Sequence, residues 1–330
     1  MTEARTIAGT KPSEPSQRAQ VDPPREGSPA PESGRQTVPC PLCGSGRSAV
    51  LIEPTEHIHD PRKLYGAASG IRGTQRIVRC SDCSMMYENP RLSEQAIVSG
   101  YASADDAGHD SQHHMRVKSF AWSLKRFSKR LPKPPATILD VGTAGGAFLE
   151  AARDFGYTPS GVEPSQYLTN AACARGFDVR AGTLADGLFE GSQFDVVSMW
   201  DVVEHLCDPR DAVSRVHDLL KPGGTFLLNF PDSGTWQAKL AGKRFWWLLS
   251  VHVSYFTKKT MRKLLEDAGF EVSLIARHWQ VLELGYLFGI AAHLGVPLAG
   301  TVGKLLPGFL ASIPMPYYAS QTTVIARKKQ

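Results

Sequence analysis

Residues Ala136-Thr-Ile-Leu-Asp140-Val-Gly142-Thr-Ala-Gly145-Gly146-Ala-Phe148-Leu-Glu150 form an apolar run that meets glycines and continues in a helical pattern. A short aliphatic, β-branched run reads as a buried strand, and glycines at its carboxyl end let the backbone turn sharply and approach a ligand with no Cβ in the way. The free N–H groups of the helix that starts there face the same ligand. Twenty-one residues after Gly142, the next strand pattern, Thr158 to Val162, ends in Glu163. An acid at that distance, on the tip of the neighbouring strand, is placed to accept hydrogen bonds from both hydroxyls of a ribose.

Working outward, strands and helices alternate: strand 137–141, helix 145–156, strand 158–163, helix 165–175, strands 177–181 and 194–200, helix 209–220 and strand 224–230. Gly156, Gly176 and Gly223 stand where helices stop. A further helix follows Thr257, with Met261, Leu264, Leu265 and Ala268 on one face, then a strand from Phe270 to Ile275, and the final strand is Thr322 to Ala326. Such alternation predicts an α/β fold with a doubly wound sheet covered on both faces, and ligands beyond the carboxyl ends of the strands. Upstream, Val117, Phe120, Leu124, Phe127 and Leu131 recur at helical spacing, which predicts a helix over 115–131 that crosses the mouth of the pocket.

The turn reads Asp-x-Gly-x-x-Gly-Gly, followed by Phe194-Asp195-Val-Val-Ser-Met-Trp200-Asp201-Val-Val-Glu204-His205-Leu206 and Leu219-Leu-Lys-Pro222-Gly223-Gly224. In this order the motifs resemble those of the class I S-adenosylmethionine (SAM) dependent methyltransferases, over roughly 136 to 275. The resemblance implies a Rossmann-like, seven-stranded, mostly parallel sheet and SAM as cofactor. Asp140, Gly142, Thr143, Gly145 and Gly146 are then expected around its methionine part and ribose, and Glu163 on the ribose diol. Thr183 and Leu184 match the family's adenine contacts, although an acid is common where Thr183 stands. Trp200 and Asp201 end the fourth strand and face the methionine end. His205 is the expected general base, since an unperturbed imidazole with a pKa of about 6.5 suits removal of a hydroxyl proton, and Glu204 orients it or shares the role. The same Glu-His-Leu recurs in relatives with different acceptors, so a structural role for it stays open. His252, in a stretch resembling the family's His-x-x-x-Phe-Ser/Thr, is the rival base. Lys243-Arg244-Phe245-Trp246-Trp247 before it combines cations with aromatic faces, a set that suits a sugar, a phosphate or an anionic acceptor.

The chain has 330 residues, 42% of them hydrophobic, and a net charge of +5. No basic run is interleaved with aromatic residues, so nucleic acid is not an expected partner. Residues 1–36 are rich in Pro, Ser, Glu, Arg and Gly and read as a disordered tail. The start lacks the apolar core of a signal peptide, from which a cytoplasmic location is expected, with peripheral contact at the inner membrane face as an option. Segment 37–92 carries Cys40-x-x-Cys43 and Cys80-x-x-Cys83, two knuckles that together match a tetrahedral structural zinc site with no open position. This leader resembles the zinc ribbon on many bacterial class I methyltransferases, including sugar C-methyltransferases, where the metal lobe lies beside the acceptor pocket. By that resemblance Tyr87, Asn89 and Arg91 either touch substrate or pack a strand. Cys173 and Cys207 read as small buried or half-buried side chains. Segment 93–135 is a lid or linker, with 100–114 a loop whose Asp105, Asp106, His109, Asp110, His113 and His114 lack ligand spacing.

Within a SAM-binding domain at 136–330, residues 279–319 form an insertion that the common fold does not need. From Leu284 to Gly303 it has no formal charge but is broken by glycines and Pro297. It reads either as apolar helices lining an acceptor pocket or, through 284–310, as contact with a membrane surface or lipid-linked acceptor. The expected function is transfer of a methyl group to a hydroxyl of a small-molecule, sugar, glycan or lipid-linked acceptor. Sugar C-methylation is the enzymatic alternative, and a non-catalytic scaffold or binding module the alternative of another class.

Overall fold

The structure, a computed structural model, describes residues 34–54, 75–103, 113–293 and 296–329. Its main body is a seven-stranded sheet in the order β12-β15-β10-β9-β6-β7-β8, made of β6 (Thr137–Val141), β7 (Thr158–Glu163), β8 (Asp178–Ala181), β9 (Phe194–Trp200), β10 (Leu220–Pro231), β12 (Phe270–Arg277) and β15 (Gln321–Lys328). The pairs β10–β9, β9–β6, β6–β7 and β7–β8 are parallel, and β15 lies antiparallel between β10 and β12. The central strands are apolar on both faces, as a covered parallel sheet requires: Ile138, Leu139, Val196 and Val197 are fully buried. The fold is therefore α/β, doubly wound and mostly parallel, with the topology of the class I methyltransferases.

The covering helices begin where the sequence supplies caps. In α4 (Gln166–Ala174) the Ser165 hydroxyl accepts the Leu168 N–H. In α5 (Pro209–Leu219) Asp208 caps, with Pro209 at the first helical position, where its missing N–H costs nothing. In α7 (Lys258–Asp267) Thr257 forms a reciprocal box with Thr260. Three expected boundaries move. The helix after the glycine turn, α3, runs Ala147–Asp154 because Gly146 holds a left-handed φ of +86° and cannot be helical. The expected helix 209–220 and strand 224–230 meet without a gap: α5 stops at Leu219, and β10 starts at Leu220 and absorbs Gly223 in an irregular stretch. Helix α2 runs His113–Phe127 and packs on α3 and on β13 (Gln280–Glu283), where Val281 and the Ser119 hydroxyl bond reciprocally.

The tail expected over 1–36 is corrected at its end. Arg35–Gln36 form a strand, β1, paired with β5 (Arg91–Leu92), and Arg35 is ion-paired to the buried Glu88. Residues 1–33 lie outside the described residues, as do Asp105, Asp106, His109 and Asp110. Residues 104–112 of the loop expected at 100–114 lie outside the described residues; of its ends, 100–102 close α1 (Glu94–Ala102), and 113–114 open α2.

The cysteine lobe is built from β2 (Ser48–Ile52), β3 (Ile77–Cys80) and β4 (Met86–Glu88). Its sheet takes a fourth strand, β11 (Ser254–Tyr255), from far downstream. Leu42, Val78, Met85 and Tyr87 belong to the same buried cluster as Val213, Phe256 and Met261. The insertion adds α8 (Leu284–His293), α9 (Ala299–Leu305), α10 (Gly308–Ala311) and β14 (Pro314–Tyr317), the last paired antiparallel with β13. Among the described residues, no helix is long and apolar enough to cross a membrane.

Candidate active site

A cavity of about 520 Å³ opens at the carboxyl ends of β6, β7, β8 and β9. At one end the backbone leaves β6 through the glycine turn. Gly142 has φ +71°, and a Cβ there would lie 2.6 Å from a methyl of Val202, so no larger residue fits. Ala144 takes a left-handed φ of +48°, a strained position for a residue with a side chain. Glu163 holds it: one carboxylate oxygen accepts the Ala144 N–H at 2.8 Å, and the other accepts the Ser165 N–H at 2.8 Å. Each carboxylate oxygen has two lone pairs, so Glu163 keeps acceptor capacity for a ligand. Asp140 is 2% exposed and accepts the Ser198 hydroxyl at 2.6 Å; burial pushes its carboxyl up to about 7.

Thr183 and Leu184 line the cavity beyond β8. Asp186, three residues on, caps this turn by accepting both the backbone N–H and the hydroxyl of Thr183, at 2.7 and 3.0 Å, and does not line the cavity. Trp200 stands against Phe120, Phe148 and His278, with its indole N–H buried and unpartnered. Asp201 has φ +54°, and its carboxylate accepts the side-chain amides of Asn229 and Gln321. Burial raises its carboxyl to about 6.

Glu204, His205 and His252 come together at the other end. The short turn Val203–His205 follows β9, and His252 arrives on the loop before β11, where the Val253 N–H donates to the Glu204 carbonyl at 3.0 Å. Glu204 is 2% exposed, and neither carboxylate oxygen has a hydrogen-bond partner among the described residues; burial first, and the nearby Asp201 second, push its carboxyl well up. His205 Nδ1 lies 3.1 Å from the Val251 carbonyl and 2.7 Å from the Tyr101 hydroxyl. His252 Nδ1 lies 2.9 Å from the Trp247 carbonyl. A carbonyl only accepts, so His252 Nδ1 carries the hydrogen and its Nε2 keeps its lone pair, whereas the Tyr101 hydroxyl can either accept from His205 Nδ1 or donate to it. The two rings are 4.8 Å apart. The ordinary imidazole pKa expected for His205 is corrected: burial lowers it to about 4, and burial with the neighbouring His205 also holds His252 well below the usual imidazole range, so both are neutral near pH 7.

Tyr87, Asn89 and Arg91 are not in the cavity wall. Tyr87 is fully buried, Asn89 bonds the Val38 backbone, and Arg91 donates to the Cys207 carbonyl at 2.9 Å, so the three pack the lobe. Of Lys243 to Trp247, only Trp247 lines the cavity. Sequence reading missed Tyr101, Arg116 and His278 in the wall; Tyr286, Ile290 and Tyr317 belong to the insertion, one of whose two expected readings is a lining of the acceptor pocket. Tyr101 is 104 residues from the histidine it touches, and no local spacing carries that. In the lobe, the sulfurs of Cys40 and Cys83 lie 3.6 Å apart, and those of Cys43 and Cys80 3.5 Å apart. A tetrahedron with metal–sulfur bonds of about 2.3 Å has edges of roughly 3.8 Å, so the four thiols fit one ion.

Residues 111–274 match the family model described as a methyltransferase domain. A ubiquinone biosynthesis O-methyltransferase of Dinoroseobacter shibae is 32% identical over 41% of this chain and 59% of its own. Another from Caulobacter vibrioides is 33% identical over 32% of this chain and 46% of its own. A SAM-dependent methyltransferase structure from Archaeoglobus fulgidus aligns with a TM-score of 0.45 and 18% identity, over 68% of this chain and all of its own. The chain spans about half the length of the curated relatives it matches. Fold and glycine turn define a nucleoside-binding α/β protein of the methyltransferase type. With the domain match, residues 111–274 are a methyltransferase domain of the class I SAM-dependent type.

Proposed function

We propose that this chain transfers a methyl group from SAM to a hydroxyl of a small organic acceptor. The observation that carries the reading is the single cavity, with the glycine turn and Glu163 at one end and the Glu204, His205 and His252 cluster at the other. The residues fit the cofactor: the turn has room only for glycine at Gly142, an unpartnered indole N–H stands in the wall, and Asp140, Glu163 and Asp201 offer acceptors to its cationic and hydroxyl groups. Bound SAM would supply an electrophilic methyl on a sulfonium. Glu163 holds the ribose, Thr183 and Leu184 flank the adenine, and Trp200 with Asp201 bounds the methionine end. A neutral imidazole is the form that takes a proton, which suits His205, oriented by Tyr101 and Val251, with His252 beside it.

The acceptor class follows from the wall. Phe120, Leu282, Tyr286, Ile290 and Tyr317 make that end largely apolar, which favours an aromatic or lipid-like acceptor over a bare sugar. Leu298, Leu305 and Phe309 are about three-quarters exposed on α9, α10 and their flanks, which supports contact of 284–310 with a membrane surface when a lipid-linked acceptor is loaded. We assign structural zinc to Cys40, Cys43, Cys80 and Cys83. The test is incubation of the full chain with methyl-labelled SAM and panels of phenols, quinols and glycosides. Mass spectrometry should find label on an oxygen of an apolar hydroxyl compound; label on carbon, or no SAM binding at millimolar concentration, refutes the reading.

A further inference from the structure

We propose that Glu204, His205 and His252 together hold a divalent transition-metal ion at the acceptor end of the cavity, a site separate from the four cysteines. One ligating atom from each residue lies within 4.8 Å of the others. Ligands bonded to an ion at about 2.0–2.2 Å stand roughly 3–4 Å apart, so a small contraction closes the set. The carboxylate is the group that asks for a cation: Glu204 is 2% exposed, and both its oxygens lack a partner among the described residues. A buried acceptor left unpaired is costly, and an ion bound there removes that cost. His252 is prepared in the way metal ligands are, with Nδ1 donating to the backbone carbonyl of Trp247 and Nε2 left as the lone pair, and the His205 ring is held at Nδ1 by the Val251 carbonyl and the Tyr101 hydroxyl, with Nε2 outside those contacts. The backbone bond from Val253 N–H to the Glu204 carbonyl fixes the loop of His252 against the turn of Glu204 and His205.

Two imidazoles and one carboxylate suit zinc, iron(II), cobalt, nickel or manganese rather than magnesium or calcium. All four positions at the cysteines are sulfur, whereas this set leaves coordination positions open to the cavity. The inference rests on the methyl-transfer reading for its use. An acceptor hydroxyl bound to the ion would lose its proton to solvent near neutral pH, as metal-bound water does, and the imidazoles would then be ligands rather than the proton acceptor.

The test is calorimetric titration of the full, zinc-loaded chain with Mn²⁺, which thiolates hold poorly. One Mn²⁺ per chain is expected, with affinity at least ~10-fold weaker in both Glu204→Gln and His252→Ala. SAM affinity and melting temperature, measured on the same samples, separate a lost site from a lost fold, and Glu204→Gln keeps the size of the side chain. The proposal is overturned if neither Mn²⁺ nor Zn²⁺ binds beyond the cysteine site at millimolar concentration, or if binding is equal in a folded Glu204→Gln chain. Methyl transfer that continues at full rate after chelation overturns it too, and leaves the methyl-transfer reading standing. Mn²⁺ binding that depends on Glu204 and His252 in a chain with no affinity for SAM supports the site and removes the methyl-transfer reading instead.

Discussion

The carbonyl of Val253 accepts the backbone N–H of Glu88 at 2.9 Å, and so ties the cysteine lobe to the loop that carries His252. One residue further, β11 pairs with β4, with Ser254 opposite Tyr87. The lobe is thus a wall against which the acceptor end is built. Cys40→Ser or Cys83→Ser, which removes a ligand of the assigned zinc, is expected to lower the melting temperature and to reduce turnover at least ~10-fold. SAM affinity should change by no more than a few-fold, since the glycine turn and Glu163 lie on β6 and β7. Parallel melting, turnover and SAM titrations check this; equal loss of SAM affinity and turnover would show that the lobe supports the whole domain instead.

A second expectation concerns Glu163. Its carboxylate both holds the strained turn at Ala144 and stands ready for the ribose. Glu163→Ala should cost about 1.5–3 kcal/mol in SAM binding, or roughly ten- to a hundred-fold in affinity. Glu163→Gln, which can accept through one oxygen only, should fall between the two. Calorimetry with SAM decides, and unchanged affinity in Glu163→Ala would remove the acid from the cofactor site.

Much of this end was legible in the chain because it is local. The strand, the glycines and Glu163 lie within a single βαβ unit, and the spacing of about 20 residues between turn and acid reflects one helix and one strand. The cysteine pairs were legible for the same reason. The acceptor end was legible only in part: Glu204, His205 and His252 stand in motifs, whereas Tyr101 and Tyr317 reach it from distant segments and touch His205 and Gln280, 104 and 37 residues away, which no local spacing carries. Spacing also could not show that burial takes His205 far from its ordinary pKa, because that burial comes from Tyr101 and the loop of Val251 and His252 packing around it.

The third prediction is a pH dependence centred on Asp140. Burial raises its carboxyl from 3.8 to about 7 in the folded chain. Between those values the native state holds a proton that the unfolded chain has lost, so this contribution to stability is fully present below 3.8 and is lost as pH rises through about 7. A cationic cofactor favours the ionised carboxylate, so SAM affinity should rise as pH goes from about 5.5 to about 8, with proton release on binding. In Asp140→Asn both trends should flatten. Titrations in two buffers of different ionisation enthalpy measure the proton directly, and a pH-independent affinity in the native chain would place Asp140 outside the cofactor's influence.

The last prediction separates a base from a ligand set at the acceptor end. A positioned general base contributes about a hundred-fold or more, so His205→Ala should lower turnover by at least that much while SAM affinity stays within a few-fold of the native value. If His205 acts alone as the base, His252→Ala should keep most of the activity, and Tyr101→Phe, which removes the hydroxyl 2.7 Å from Nδ1, should give a partial loss in kcat with little change in KM. If the two imidazoles and Glu204 share an ion, then His205→Ala, His252→Ala and Glu204→Gln should all fall to a similar low rate, and the double histidine variant should be no worse than either single one, since a site that needs every ligand is lost only once. A third pattern, in which His205→Ala no longer binds SAM, would mean that the Glu-His-Leu turn supports the end of β9 and that the acceptor's proton goes elsewhere.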